Sequence, residues 1–174
     1  MPTGEPLPAG VEVVRAAAEH EPVLGNLLEL YAHDFSEFVD VQLRPDGRFG
    51  HNGLSVYWTE ETRFPFLVKV NGHLAGFVFV SKGSLVSGDP RVYDMAEFFI
   101  VRGYRGRRIG TAVAHETWRR FPGPWEVRVL EANRPALAFW RAAIDAFTGG
   151  LVEPASMELH GKPWQVFSFT SPGG

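Results

Sequence analysis

Between residues 24 and 38 apolar side chains return every three or four positions, at Leu24, Leu27, Leu28, Tyr31, Phe35 and Phe38. That spacing predicts an amphipathic helix following the short apolar strand "VEVVR". A polar, glycine-containing break, "RPDGRFGHNG", comes next. The runs "FPFLVKV" and "HLAGFVFV" then flank Asn71-Gly72, a dipeptide suited to the positive φ angles of a tight turn, and predict a β-hairpin. "VYDMAEFFIV" is rich in aromatic and branched residues with little alternation, which predicts a strand buried on both faces. From about Arg108 to Phe121 good helix formers follow, with Ile109, Val113 and Thr117 on one side and Ala112 beside them. "WEVRVLE" predicts another strand. Pro135 suits a first helical turn, and Ala136, Phe139, Ala143, Ile144 and Phe147 continue at helical spacing until Gly149 and Gly150. "LVEPASMEL" and "WQVFSFT" around "HGKP" predict a closing pair of strands. The succession predicts one α/β (α+β) domain over residues 11–170, a mixed, mostly antiparallel sheet flanked by helices. Residues 1–10 and 171–174 are expected to be loose tails.

Composition narrows the chemistry. A length of 174 residues suits a single core. Seventeen Lys and Arg against twenty Asp and Glu give a net charge of −3, so no global positive field favours nucleic acid or an anionic membrane. There is no Cys, which excludes disulfides, thiolate metal sites and a Cys-bound acyl intermediate. Six scattered His without ligand-like spacing make no case for a metal. No apolar run approaches the roughly 20 residues of a membrane span, and the N-terminus has no basic, apolar leader, so a soluble cytoplasmic protein is expected. A homodimer is compatible with the sequence, which does not set the oligomeric state.

Positive charge is instead local, in "YRGRRIGTA" directly after the apolar strand. A helix N-terminus offers unpartnered N–H groups and the positive end of the helix dipole. Glycine lets a phosphate approach the backbone, and arginine adds charge-assisted contacts. Gly106 and Gly110 with Arg105, Arg107 and Arg108 therefore predict a phosphate or pyrophosphate site. The pattern is neither a P-loop nor G-x-G-x-x-G. It resembles the Q/R-x-x-G-x-G/A loop of the GNAT N-acetyltransferases, with Arg105 in the first position and Gly110 in the last. Arg108 stands where that family usually has Gly; the loop tolerates this if residue 108 already lies in the helix's first turn at an ordinary negative φ. A second stretch, "NRPALAFW", is similar to the family's N-x-x-A-x-x-F-Y, and the order of elements resembles the GNAT topology over nearly the whole chain.

The resemblance implies acetyl-CoA as co-substrate and a primary amine of a small molecule or peptide as acceptor. It implies that Phe98, Phe99 and Ile100 bond the pantetheine arm through their backbone. The loop containing Gly106, Arg107, Arg108, Ile109, Gly110 and Thr111 would cradle the pyrophosphate, with Asn133 reaching the CoA arm. An ammonium must lose a proton before it can attack a thioester, and the carboxylate expected to take it is Glu97, whose pKa burial would raise. Glu126 is the reserve base, with a solvated pair to Arg128 as its alternative. The family's usual Tyr acid is here Trp140, which cannot donate a proton to a thiolate and is expected to wall the pantetheine tunnel. Tyr93 and Tyr104 are substitute acids by residue type. "YAHDFSEF" supplies the expected acceptor region, in which Asp34 or Glu37 would hold an ammonium and His33 would offer a second base. Two other readings remain at this stage: a non-catalytic acyl-CoA-binding domain, favoured by Trp140 and Arg108, and a nucleic-acid module using "RGYRGRR".

Overall fold

The computed structural model describes residues 4–173; residues 1–3 and 174 of the two expected tails lie outside the described residues. The elements are β1 (Val11–Arg15), α1 (Glu21–Phe35), α2 (Val56–Thr59), β2 (Arg63–Val70), β3 (His73–Lys82), β4 (Tyr93–Ile100), α3 (Ile109–Arg120), β5 (Gly123–Leu130), α4 (Arg134–Thr148), β6 (Ala155–Leu159) and β7 (Lys162–Ser171). The strands form one open sheet in the order β1-β2-β3-β4-β5-β7-β6. Every neighbouring pair is antiparallel except β4 and β5. The expected hairpin is present: Asn71 and Gly72 have φ of 50° and 80°, and Val70 faces His73.

Each face of the sheet buries its own core. Val78, Val80, Met95, Val113, Trp118, Ile144 and Phe147 pack beneath α3 and α4. On the other face Leu24, Leu27, Tyr57, Phe77, Phe79 and Phe99 pack beneath α1 and α2. Alternation along β3 explains the division, since Phe77 and Phe79 point one way and Val78 and Val80 the other.

The sheet opens in its middle. β4 and β5 pair only at Tyr93–Trp125 and Asp94–Glu126, then part. β4 carries an extra residue there: Phe79 faces Glu97 and Val80 faces Met95, leaving Ala96 as a bulge. A bulge bends and twists its strand, which turns β4 away from β5. The expectation of a β4 buried on both faces is corrected accordingly, because Ala96, Glu97 and Phe98 are only half-buried where the strands part.

The ends of the chain make defined contacts. The Glu5 amide donates to His115 Nδ1 at 2.7 Å, and Arg119 donates to the Glu5 carbonyl. Ser171 belongs to β7, and its hydroxyl donates to the Trp118 carbonyl at 2.7 Å. No helix of the described residues is long and apolar enough to cross a membrane.

Candidate active site

Where β4 and β5 separate, their facing backbone groups have no strand partner, since β4 is paired only to β3 and β5 only to β7 over those residues. Two such edges inside a sheet are an opening that an extended amide chain can fill by strand addition. A cavity of about 890 Å³ occupies it and continues from the α3/α4 face to the α1 face. Phe98, Phe99, Ile100, Asn133 and Trp140 line it, together with Arg105, Gly106, Arg108, Gly110 and Thr111.

The loop leaving β4 turns through a 3₁₀ turn at Arg102–Tyr104 and enters α3 through Gly106 at φ 74°. Arg108 caps α3 in the left-handed region, at φ 60° and ψ 6°. This corrects the expected negative φ: Arg108 keeps the backbone shape that glycine usually supplies, at a conformational cost on the order of 1 kcal/mol. The first amide of α3 to reach a backbone carbonyl is that of Ala112, on Arg108 at 3.0 Å. Among the described residues, the amides of Arg108, Ile109, Gly110 and Thr111 have no hydrogen-bond acceptor, which is the anion-binding arrangement of a helix start. Arg107 is exposed beside them. Arg108 pairs with Glu5 at 3.1 Å.

Three residues of the loop do something other than expected. Arg105 donates through Nε to the Ile100 carbonyl at 2.7 Å and through Nη2 to Asp34 at 2.5 Å, so its guanidinium ties the loop to β4 and α1. Gly110 is small because of packing, since a Cβ would stand 3.2 Å from the Phe139 ring. Ile109 is buried in the core under α3 and does not line the cavity.

Asp34 also differs from expectation. Arg102 bonds it at 2.8 and 3.1 Å alongside Arg105. Burial works against its charge, but the two guanidinium groups outweigh that and hold its carboxyl below the ordinary value. It is a strap between α1 and the loop, with its charge already compensated. His33 is exposed and its ring lies against Phe49, outside the cavity.

Glu97 lies on the α1 side of β4, opposite Phe79, and lines the cavity. Burial pushes its carboxyl up, partly countered by a hydrogen bond from the Tyr31 hydroxyl and by the charge of Arg128. Tyr31 is pushed well above its ordinary value by burial and by Glu97. Arg128 binds Asp94 through two bonds of 3.0 and 2.9 Å, closing the base of the splayed strands. This replaces the expected pairing of Arg128 with Glu126, which is buried and accepts from the Ser84 hydroxyl at 2.7 Å. Neither Glu126, Tyr93 nor Tyr104 lines the cavity; Tyr93 packs against Phe121 and Trp125. Trp140 stands edge-on to Phe98, 4.9 Å between centroids, as a wall. Asn133 caps α4 by accepting from the Ala136 amide at 3.1 Å. Tyr31 and Arg128 are the participants that sequence reasoning missed, because each meets Glu97 only through the tertiary fold.

Residues 25–143 match the acetyltransferase (GNAT) family. No curated protein matches the chain at the level of sequence. Among solved structures, an acetyltransferase from Thermus thermophilus superposes with a TM-score of 0.67 at 14% identity, over 92% of this chain and 96% of that one. The spermidine N-acetyltransferase of Vibrio cholerae, in complex with CoA and spermine, gives 0.66 at 12% identity over 94% and 97%. RimL, a ribosomal L7/L12 α-N-protein acetyltransferase in complex with coenzyme A, gives 0.63 at 15% identity over 97% and 98%.

Proposed function

The chain belongs to the acetyltransferase (GNAT) family, and from that premise we propose that it is an N-acetyltransferase moving an acetyl group from acetyl-CoA to a primary amine by direct attack in a ternary complex. The observation that carries this reading is Glu97, a half-buried carboxyl in the cavity where the unpaired edges of β4 and β5 open towards α1. The residues present fit the co-substrate. The free strand edges suit an amide-bearing arm, and the unaccepted amides of α3 with Arg107 and Arg108 suit a pyrophosphate. Asn133 has its side-chain N–H₂ left to donate after its oxygen caps α4. Phe98 and Trp140 provide apolar walls.

When bound, acetyl-CoA supplies an acetyl thioester. Glu97 takes a proton from the incoming ammonium, and its raised pKa makes it a better match to that task than an ordinary glutamate. The amine nitrogen then bonds the acetyl carbon, the carbon–sulfur bond breaks, and the nitrogen's second proton passes to the departing thiolate or to solvent. Tyr31 lines the same cavity, and its hydroxyl favours the charged form of Glu97. A thiol with a pKa near ~8.5 leaves tolerably as the thiolate, so a tryptophan at position 140 is compatible with turnover. The cytoplasm is the compartment proposed, since a chain without Cys needs no oxidising environment.

Calorimetry with acetyl-CoA followed by a thiol-release assay across small amines and peptides tests the proposal. Binding with release is the expected result. Binding without release from any amine would favour the non-catalytic acyl-CoA-binding reading, for which Trp140 is the relevant observation. Absence of binding would overturn both.

A further inference from the structure

The α1 side of the cavity carries information about the acceptor. Leu28, Tyr31 and Phe35 on α1, with Phe38, Val39 and Val41 in the segment after it, make this side of the cavity mainly apolar, with Asp34, Glu37 and His51 as its polar members. The loop beyond is fastened against α1 by Glu29, which accepts from the amides of Phe49 at 2.7 Å and Gly50 at 2.8 Å. The rings of this side pack on one another: Tyr31 lies 5.3 Å from Phe35 and 5.9 Å from Phe99 between ring centroids.

Its charges are arranged just as definitely. Of the carboxyls lining the cavity, Asp34 is compensated by Arg102 and Arg105, and Glu37 is solvent-exposed. Glu97 alone is deep and without a guanidinium bonded to it. An acceptor with a second ammonium would therefore find no buried carboxylate for it. The carboxylate left to it is the solvent-exposed Glu37, where water screens the attraction to well under that of a buried pair; elsewhere the charge would lie against apolar side chains or near the arginines of the loop, and both are unfavourable.

Resting on the reading of this cavity as an amine-acetylation site, we propose that its acceptor is a primary amine carried on an apolar body, aromatic or branched, with no second cation. The ammonium points to Glu97 and the apolar body lies along the α1 wall. The residues that select it are Phe35 and Phe38, which supply contact area, and the Arg102–Asp34 pair, which removes the negative charge a polyamine needs.

The test is amine binding, which does not depend on turnover. Calorimetry is run with 2-phenylethylamine, a short peptide beginning with phenylalanine, and spermidine, on the protein with and without CoA. The expected result is that an apolar amine binds roughly tenfold or more tightly than spermidine, and that Phe38→Ala removes most of that preference while circular dichroism stays unchanged. A stronger response to the peptide than to the free amine would place the source in a polypeptide N-terminus. Arg102→Gln leaves Asp34 with Arg105 as its one guanidinium partner in place of two, and this partial loss of compensation should improve spermidine binding. Spermidine binding as well as the apolar amines, for instance by cation–π contact with the wall, would overturn the proposal, as would binding of none of the three. Thiol release in the same samples reports separately on the chemistry: apolar amines that bind without release would refute the enzymatic reading and leave the binding preference standing.

Discussion

Arg128→Met strands one buried charge, and its effect can be worked from the geometry. Asp94 is 1% exposed and Arg128 15%, joined by two bonds of 3.0 and 2.9 Å at the last paired position of β4 and β5. Deleting one partner of such a pair leaves the other charge without compensation, a loss of about 3–5 kcal/mol. In a domain of this size each kcal/mol moves the melting temperature by roughly 2–4 °C, so the expected fall is on the order of 6–20 °C. Urea unfolding and thermal melts followed by circular dichroism measure it. The double variant Arg128→Met/Asp94→Leu should recover most of the loss, because an apolar pair of similar volume replaces a buried ion pair at little net cost. A second readout comes from Glu97, whose carboxyl Arg128 pulls down against burial. Without that charge the acidic limb of the pH–rate profile should move to higher pH. A single variant within about 1 kcal/mol of the parent, the range of exposed pairs, would refute the account of this pair as a buried staple. A double variant no better than the single would do the same.

Three further expectations follow from the same site. Glu97→Gln should lower kcat by roughly 10²–10⁴-fold with acetyl-CoA affinity unchanged, and the acidic limb should vanish. Because burial raises this carboxyl in the folded state, the native protein binds more protons there than the unfolded chain, and stability falls as pH rises through the folded pKa. The Gln variant should therefore melt higher than the parent above that pH and show no gain below the ordinary glutamate pKa; a lower melting point near neutral pH would contradict the assignment. Gly110→Ala gains helix propensity of about 1 kcal/mol but presses on Phe139 at 3.2 Å, so stability should change little while the displaced ring weakens acetyl-CoA binding by roughly tenfold. Phe139 lines the cavity, and calorimetry showing unaltered affinity would mean that its ring takes no part in binding acetyl-CoA. Arg108→Gly should stabilise the fold by about 1 kcal/mol, through relief of its left-handed backbone, and yet weaken acetyl-CoA binding and flatten its salt dependence. Loss of stability would mean that the Glu5 pair matters more than the backbone.

Local patterns were legible where local physics decides. Asn71-Gly72 named its own turn, Pro135 and Gly149 marked the two ends of α4, and Gly106 marked the turn into α3. Residue relations that cross the fold were not. Nothing in "YAHDFSEF" says that Tyr31 will meet a carboxyl 66 positions later, or that Asp34 will be claimed by two arginines of the loop between β4 and α3. The bulge at Ala96 left no glycine or proline as a signal, so β4 read as an ordinary buried strand. Arg108 was misread for the opposite reason. Steric preference argues for a negative φ, and the demands of the turn into α3 override it.

The distribution of indoles has a practical consequence. Trp118 and Trp125 are sealed in the core at 0% and 1% exposure, whereas Trp140 and Trp164 border the cavity. Once the half-buried Trp58, which stands outside the cavity, is replaced by Phe, fluorescence emission should divide into a blue-shifted component deaf to soluble quenchers and a second one sensitive to whatever enters between β4 and β5. Titrating CoA while watching only the quenchable part would report occupancy of the cleft without label, acceptor or catalysis.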